Sequence, residues 1–409
     1  MKKELELYLH IPFCMKKCKY CDFLSAPADE QTQGEYVKAL LCEISFWGQR
    51  ASEYEVTTIY IGGGTPSWLR EEAMVQILEK LHEQFAIRED AEITIECNPG
   101  TVTERKFIAY KKAGINRLSI GLQSANEEEL KLLGRVHSFE QFLKTYELAR
   151  ETGFSNINVD LMSSLPGQTP KTFANTLQQV IRLKPEHISA YSLIIEKGTP
   201  FYDIYKFDAV KQQAGMQTEF LPTEEEEYQI GKLTEIVLAK AGYHRYEISN
   251  YARSGYECRH NIGYWKRAEY LGMGLGAASL LDNIRYSNTR DLYEYIEKSE
   301  DIRIQNFTCT LSHGREEMVQ GISLHAGADI VERFGQMEEF MFLGFRMLDG
   351  ISRDEFEQAF GVSIESVYGN VLTQLQQDDL IVKKGGRIYL TEKGMDLNNY
   401  VVSQFMLAE

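Results

Sequence analysis

Residues 5–23 read LELYLHIPFCMKKCKYCDF. Apolar and polar side chains alternate through LELYLH, the period of a strand with one buried face, and the chain then enters a loop carrying Cys14, Cys18 and Cys21. Five more strand patterns follow, TTIYIGG, EITIECN, RLSIGLQ, NINVDLM and HISAYSL, separated by longer amphipathic runs. Helix signals punctuate those runs: Thr103 precedes ERKFIAYKKAG, which stops at Gly114, and Pro170 opens KTFANTLQQVIRL. Strand and helix alternating six times over residues 4–200 predict an α/β fold with a parallel sheet. Six units are too few to close a standard eight-stranded barrel, which leaves an open partial barrel or a doubly wound layer. Either arrangement puts function at the C-terminal ends of the strands. The unusual residues stand there: Cys14 after strand one, Gly62–Thr65 after strand two, Glu96 and Gln123 ending strands three and four, and Asp160 within strand five.

Thiolates four and three residues apart on one loop can converge on a single soft metal centre. A structural zinc wants four protein ligands, usually as two CxxC pairs, and the chain has no second pair. A cube of iron and sulfide held by cysteine thiolates can take three of them and leave one iron open to a small chelating ligand. The plainer reading, cysteines as small hydrophobes, is opposed by Lys16, Lys17 and Lys19, whose charges are expected to lower the thiol pKa values.

The 409 residues exceed what one hydrophobic core usually serves, and the pattern divides them into 1–205, 206–335 and 336–409. After Pro200 the regularity stops. Thr223 and Glu226 have capping-box spacing ahead of EYQIGKLTEIVLAKAG, and the acidic run TEEEE complements the dipole of that helix without needing a partner. Residues 311–334, LSHGREEMVQGISLHAGADIVERF, show no clear period, and His313 and His325 receive no role. From Met337, three helical patterns and the hairpin KKGGRIYLT predict a small winged-helix-like domain whose acidic helix face argues against DNA binding. A net charge of −16 excludes the basic field that a nucleic-acid partner requires. No stretch has the 18 or so apolar residues of a transmembrane segment, and MKKELELYLH alternates where a signal peptide would be continuously apolar. Seven unevenly spread cysteines fit reduced thiols, so a cytoplasmic location is expected.

CMKKCKYC also matches the CxxxCxxC motif, and the chain here resembles the radical S-adenosylmethionine enzymes. The preceding YLHIPFC, with IGGGTPS, ECNP, RLSIGLQS, GRVH, NVDLM and LPGQT in order, narrows the resemblance to the oxygen-independent coproporphyrinogen III oxidase-like group, from about Leu5 to the C-terminus. That resemblance implies a partial (β/α)6 barrel with a C-terminal α+β extension and the winged-helix-like domain. It implies that Cys14, Cys18 and Cys21 ligate a [4Fe-4S] cluster whose open iron takes the methionyl group of S-adenosylmethionine. Tyr20 would flank the adenine, and Tyr8 would be a further cofactor contact. Gly62, Gly63 and Gly64 would let the backbone approach the methionyl amino group, and Thr65 would add a hydroxyl. Arg135 would pair with the methionyl carboxylate, Glu96 and Gln123 would hold the sulfonium ligand, and Asp160 would take the ribose hydroxyls.

One departure redirects the reading. The oxidases of the group carry a further cysteine where this chain has Phe23. CxxCxF with a later HNxxYW, here HNIGYW at 260–265, resembles the heme-binding branch, which is not expected to oxidise coproporphyrinogen. The resemblance then implies a heme chaperone that passes heme to an apo-hemoprotein acceptor or heme-storage protein. His260 would be an axial ligand, Tyr264 and Trp265 would cover the porphyrin, and Cys258 is a candidate second ligand. In an arbitrary HNxxYW the plainer reading is a turn-capping histidine and a core tryptophan. The alternative function is a working oxidase that decarboxylates coproporphyrinogen III through a 5′-deoxyadenosyl radical, and a third is a radical enzyme on an unrelated substrate, because the fold alone fixes no chemistry. His10, His137, His187 and His244 read as packing or surface residues, and Cys42, Cys97 and Cys309 as plain thiols.

Overall fold

The computed structural model describes residues 2–304 and 322–407; Cys309 and His313 lie outside the described residues. All six strands are present as β1 (Lys3–Ile11), β2 (Tyr54–Gly63), β3 (Ile87–Cys97), β4 (Arg117–Gln123), β5 (Ile157–Ser163) and β6 (His187–Ser192). They pair in parallel and in sequence order. Between them run α1 (Glu30–Gly48), α2 (Glu71–Gln84), α3 (Glu104–Lys112), α4 (Glu127–Leu133), α5 (Phe139–Glu151) and α6 (Pro170–Leu183). The start signals act as the sequence suggests: the Thr103 hydroxyl accepts from the Lys106 N–H, and Thr169 forms a capping box with Thr172 around Pro170.

Each strand sorts its side chains by polarity. Leu5, Leu7, Leu9, Ile59, Ile61, Ile93, Ile95, Leu118, Ile120, Val159 and Leu161 are buried on the outer face with Tyr36, Leu40, Ile77, Phe107, Phe142 and Phe173 of the helices. The alternate positions, Glu6, Thr58, Glu92, Thr94, Arg117, Ser119, Asn158 and His187, are also buried but polar. Parallel sheets covered on both faces are ordinarily apolar throughout, so a polar second face marks the lining of a concave interior. A single cavity touches the C-terminal ends of β2 to β6 and the loop that follows β1, which makes the sheet curled: a partial barrel and not a flat doubly wound layer.

The stretch 206–335 extends this sheet instead of forming a core of its own among the described residues. Beyond β6 lie β7 (His244–Arg245) and β8 (Asn250–Ala252); beyond β1 lie β9 (Tyr270–Met273), β10 (Ala278–Leu281), β11 (Ile284–Asn288) and β12 (His325–Ile330). Among the described residues, α7 (Pro200–Gln213), α8 (Glu224–Lys240), α9 (Arg259–Trp265) and α10 (Leu292–Ile304) accompany them. Of these only α8 has a start legible in the sequence, and its Thr223–Glu226 capping box is formed. Helices at 333–344, 353–360 and 364–377 and a hairpin turning at Gly385 and Gly386 enclose a second core around Met341, Phe356, Leu372, Ile388 and Phe405. Glu339 joins the two bodies, accepting from Arg267 at 2.7 Å and Arg285 at 2.6 Å. Among the described residues no helix is long and apolar enough to cross a membrane.

Because Phe356 lies in the core of the C-terminal body, Phe356→Ala is expected to destabilise that body by about 3–5 kcal/mol. Hydrogen exchange should show lost protection confined to residues 333–407; equal loss across β1–β6 would mean that the bodies fold as one.

Candidate functional site

The cysteine loop is clamped from four sides. Cys14 donates its N–H to Ala26 O at 3.2 Å, Lys19 to Leu133 O at 3.0 Å, and Phe201 at the start of α7 to Lys19 O at 3.0 Å. His10 donates from Nε2 to Leu24 O (2.8 Å), which leaves Nδ1 to accept from the Tyr8 hydroxyl (2.9 Å). The glycine run closes against the same loop. Gly64 donates to Ile11 O at 2.8 Å, and a Cβ there would lie 2.7 Å from Phe13 O. At Gly63, with φ +112°, a Cβ would strike the His10 ring at 2.6 Å. These glycines are therefore required by β1 itself, a constraint independent of any ligand that approaches them.

The loop and the ends of β2 to β6 enclose a cavity of about 400 Å³. Cys14, Cys18 and Cys21 all face it, with Tyr20, Gly63, Gly64, Thr65, Glu96, Gln123, Arg135 and Asp160. Two of the sulfurs accept hydrogen bonds: Cys14 from the Thr65 hydroxyl at 3.5 Å and Cys18 from Arg135 Nη1 at 3.7 Å. Both donors stabilise a thiolate. The lysines do less than the sequence suggests, because burial pushes the Cys21 thiol up and Lys17 only partly opposes it.

Charge in the cavity is divided. Glu96 accepts from the Tyr60 hydroxyl (3.0 Å) and the Gly63 N–H (3.1 Å), yet burial and the charge of Asp160 push it up to about 7. Asp160, raised by burial, accepts from Ser119 (2.9 Å) and Asn158 (2.7 Å). Across from them Arg135 donates to Asn98 Oδ1 at 2.6 Å and Gly121 O at 2.8 Å, while its buried Nε has no protein partner among the described residues. Gln123 reaches the cavity from a left-handed backbone, φ 70°, a conformation an L-residue holds only when its surroundings fix it. Glu96 and Asp160 across from Arg135, with the sulfurs of Cys14, Cys18 and Cys21 nearby, suit a ligand with cationic and carboxylate groups beside a metal centre.

Two residues expected to contact cofactors, Tyr8 as a further contact and His260 as a heme ligand, do not line this cavity. Tyr8 stands behind the lining, its hydroxyl on His10 and its ring stacked near Tyr60 at 6.5 Å. His260 lies on α9, 1% exposed, inside the lower barrel among Thr58, Tyr60 and Glu92. In this arrangement the imidazole is enclosed by protein, and heme ligation by His260 would require α9 to move; the motif's residue types are legible in the sequence, their depth is not. Cys258 is equally buried, and its thiol, pushed up to about 12 by burial, donates to Glu92 at 3.5 Å. Conversely, Asn98 was not assigned although it bridges the Thr65 hydroxyl (2.7 Å) and Arg135 (2.6 Å). Its signal was its place beside Glu96 in ECNP. Cys97, pushed up to about 12, borders the cavity as a thiol.

Comparison with known proteins accords with this geometry. Residues 8–180 match the radical SAM superfamily model and residues 333–397 the HemN C-terminal domain model. The chain is 38% identical to the heme chaperone HemW of Escherichia coli (strain K12), over 86% of this chain and 85% of that protein. It is 33% identical to the heme chaperone HemW of Lactococcus lactis, over 100% and 98% respectively. The solved structure of coproporphyrinogen III oxidase (HemN) from Escherichia coli superimposes with a TM-score of 0.80 at 24% identity, covering 99% of this chain and 90% of that one, a likeness of fold. The chain therefore belongs to the radical SAM superfamily and, within it, to the heme chaperone HemW family.

Proposed function

We propose that this chain is a cytoplasmic heme chaperone that holds a [4Fe-4S] cluster and S-adenosylmethionine in the strand-end cavity and passes heme to an apo-hemoprotein or heme-storage protein. The observation that carries the distinction from an oxidase is Phe23. Where the oxidases have a further cysteine, this aromatic stands on the cavity rim with 61% of its surface exposed. Ile194, 68% exposed, and Tyr191 flank the same rim, and Lys16 and Lys17 border it. An apolar rim with ammonium groups at its edge suits a planar macrocycle bearing carboxylates. The relatives named heme chaperone support the same assignment.

The donor set fits the cofactors. Cys14, Cys18 and Cys21 would hold the cluster, with Thr65 and Arg135 stabilising the sulfurs. Arg135 would pair with the methionyl carboxylate, Glu96 with Gln123 would face the cationic part, and Asp160 the ribose. When bound, the cluster supplies one-electron chemistry at the sulfonium. Protein groups supply the orientation.

Anaerobic protein given coproporphyrinogen III and S-adenosylmethionine should return the porphyrinogen unchanged, while added heme should bind and move to an apo-hemoprotein. Several turnovers of protoporphyrinogen would make the chain an oxidase and discard the proposal. Replacing Cys14, Cys18 or Cys21 with Ala should abolish bound iron, measured by iron analysis, whereas Ala at Cys42, Cys97 or Cys258 should retain it. Glu96 is protonated below about 7, so a cationic ligand binds better once that proton has left. S-adenosylmethionine affinity, read by equilibrium titration, should rise from about pH 6 to about pH 8, and Glu96→Gln should flatten the rise. The same raised value costs folding stability. An unfolded carboxyl ionises near 4.5 and this one near 7, so the penalty grows between those values and is complete above them.

A further inference from the structure

α9 fills the barrel at the end opposite the cavity, and its contacts lead back to the cavity wall. The Thr58 hydroxyl and His260 Nδ1 are 2.7 Å apart, and the His260 N–H donates to Glu92 Oε1 at 3.3 Å. The imidazole lies nearly parallel to Tyr60, with centroids 5.2 Å apart and planes inclined by 23°, while Tyr264 meets it edge-on at 4.8 Å. Burial and the charge of Arg117 push the imidazole down to about 3, so it packs as a neutral ring. Beneath it, a Cβ at Gly263 would lie 1.9 Å from Glu6 Oε1, so the helix approaches β1 as closely as glycine permits. On its far side Trp265 lies under Arg346 at 4.3 Å. The Tyr60 hydroxyl, at the other edge of the stacked ring, donates to Glu96.

We propose that His260 is a positioning residue: packed against Tyr60 from the closed end of the barrel, it holds the phenol on Glu96 and thereby sets the affinity of the cavity for S-adenosylmethionine. The inference rests on the S-adenosylmethionine reading above. A phenol can direct its hydroxyl at a carboxylate only while its ring plane is fixed, and here Tyr8 and His260 fix it. HNIGYW then contributes to the cofactor cavity through packing, and not as an iron ligand.

The experiment measures S-adenosylmethionine affinity, iron content and the Soret band of added heme on anaerobic samples of His260→Ala, His260→Phe, Tyr60→Phe and the His260→Ala/Tyr60→Phe double variant. His260→Ala and Tyr60→Phe should each weaken S-adenosylmethionine binding about tenfold, and the double variant no more than either alone, because contacting residues are coupled. His260→Phe, which keeps a ring, should recover most of the loss. Iron content and the Soret band should match wild type. An unaltered affinity in His260→Ala, additive losses in the double variant, or a displaced Soret band would each overturn the proposal. If His260→Ala does not fold, the remaining pair decides: affinity lost in Tyr60→Phe and kept in His260→Phe supports it, and any other pattern overturns it. A wild-type chain that binds no S-adenosylmethionine overturns the underlying reading as well, whereas wild-type binding with His260→Ala unaltered overturns this inference alone.

Discussion

The structure depends on how a curled parallel sheet disposes of a polar inner face. Desolvated carboxyl, hydroxyl and guanidinium groups cost several kcal/mol each unless they find partners. Here neighbouring strands supply many of those partners, although Thr94 Oγ1 and Arg117 Nε have none among the described residues. Asn158 donates to Asp160 and Ser119, and accepts from His187 and from the Ser189 hydroxyl at 3.1 Å. Arg117, 2% exposed, places a positive charge in this lower tier, and burial together with its field holds His187 and His260 neutral. Neutral imidazoles can accept on one nitrogen and donate on the other, which a protonated ring could not do. At the open end Glu96 and Asp160 keep partners on the strands, and with Arg135 they also face the cavity.

The cysteine loop is held at that open end. Phe13, Tyr20 and Leu24 pack on the cores, the His10 side chain of β1 binds Leu24 O, and backbone bonds join Lys19 to the end of α4 and the start of α7. Gly63 and Gly64 bring β2 against it closely enough that no side chain fits between. The cluster ligands thus rest on the first two strands, while Arg135 reaches them from beyond α4 and Glu96 from β3. Loss of register in any one strand would displace one member of the site, since a one-residue slip turns every side chain to the other face.

The fold was legible to the extent that period and punctuation carry it. Six strands, the capped starts of α3, α6 and α8, and the terminal helices with their glycine hairpin all follow from local pattern. The cavity residues were legible because they stand at strand ends, where topology alone brings them together. What the sequence did not disclose were contacts made across the sheet. The attachment of β9 to β1 joins residues 6–9 to 270–273, and no local signal specifies such a distant pairing. Asn98 was passed over because one side chain bridging two others has no spacing signature. α7 was missed because Ile204, Phe207 and Val210 are exposed, so its apolar positions do not form a single inward stripe.

His260 shows the same limit most sharply. Histidine, tyrosine and tryptophan are what a heme pocket uses, and also what a polar barrel uses to close its lower end; residue type cannot separate the two. Depth can. Gly263 allows α9 to reach the Glu6 carboxyl, which burial pushes up to about 8, so at neutral pH this group is an uncharged neighbour for the imidazole. A carboxylate that close would instead draw a proton onto the ring and unsettle its contact with Thr58. The glycine, the protonated glutamate and the neutral histidine therefore form one arrangement, in which each is acceptable only because of the other two.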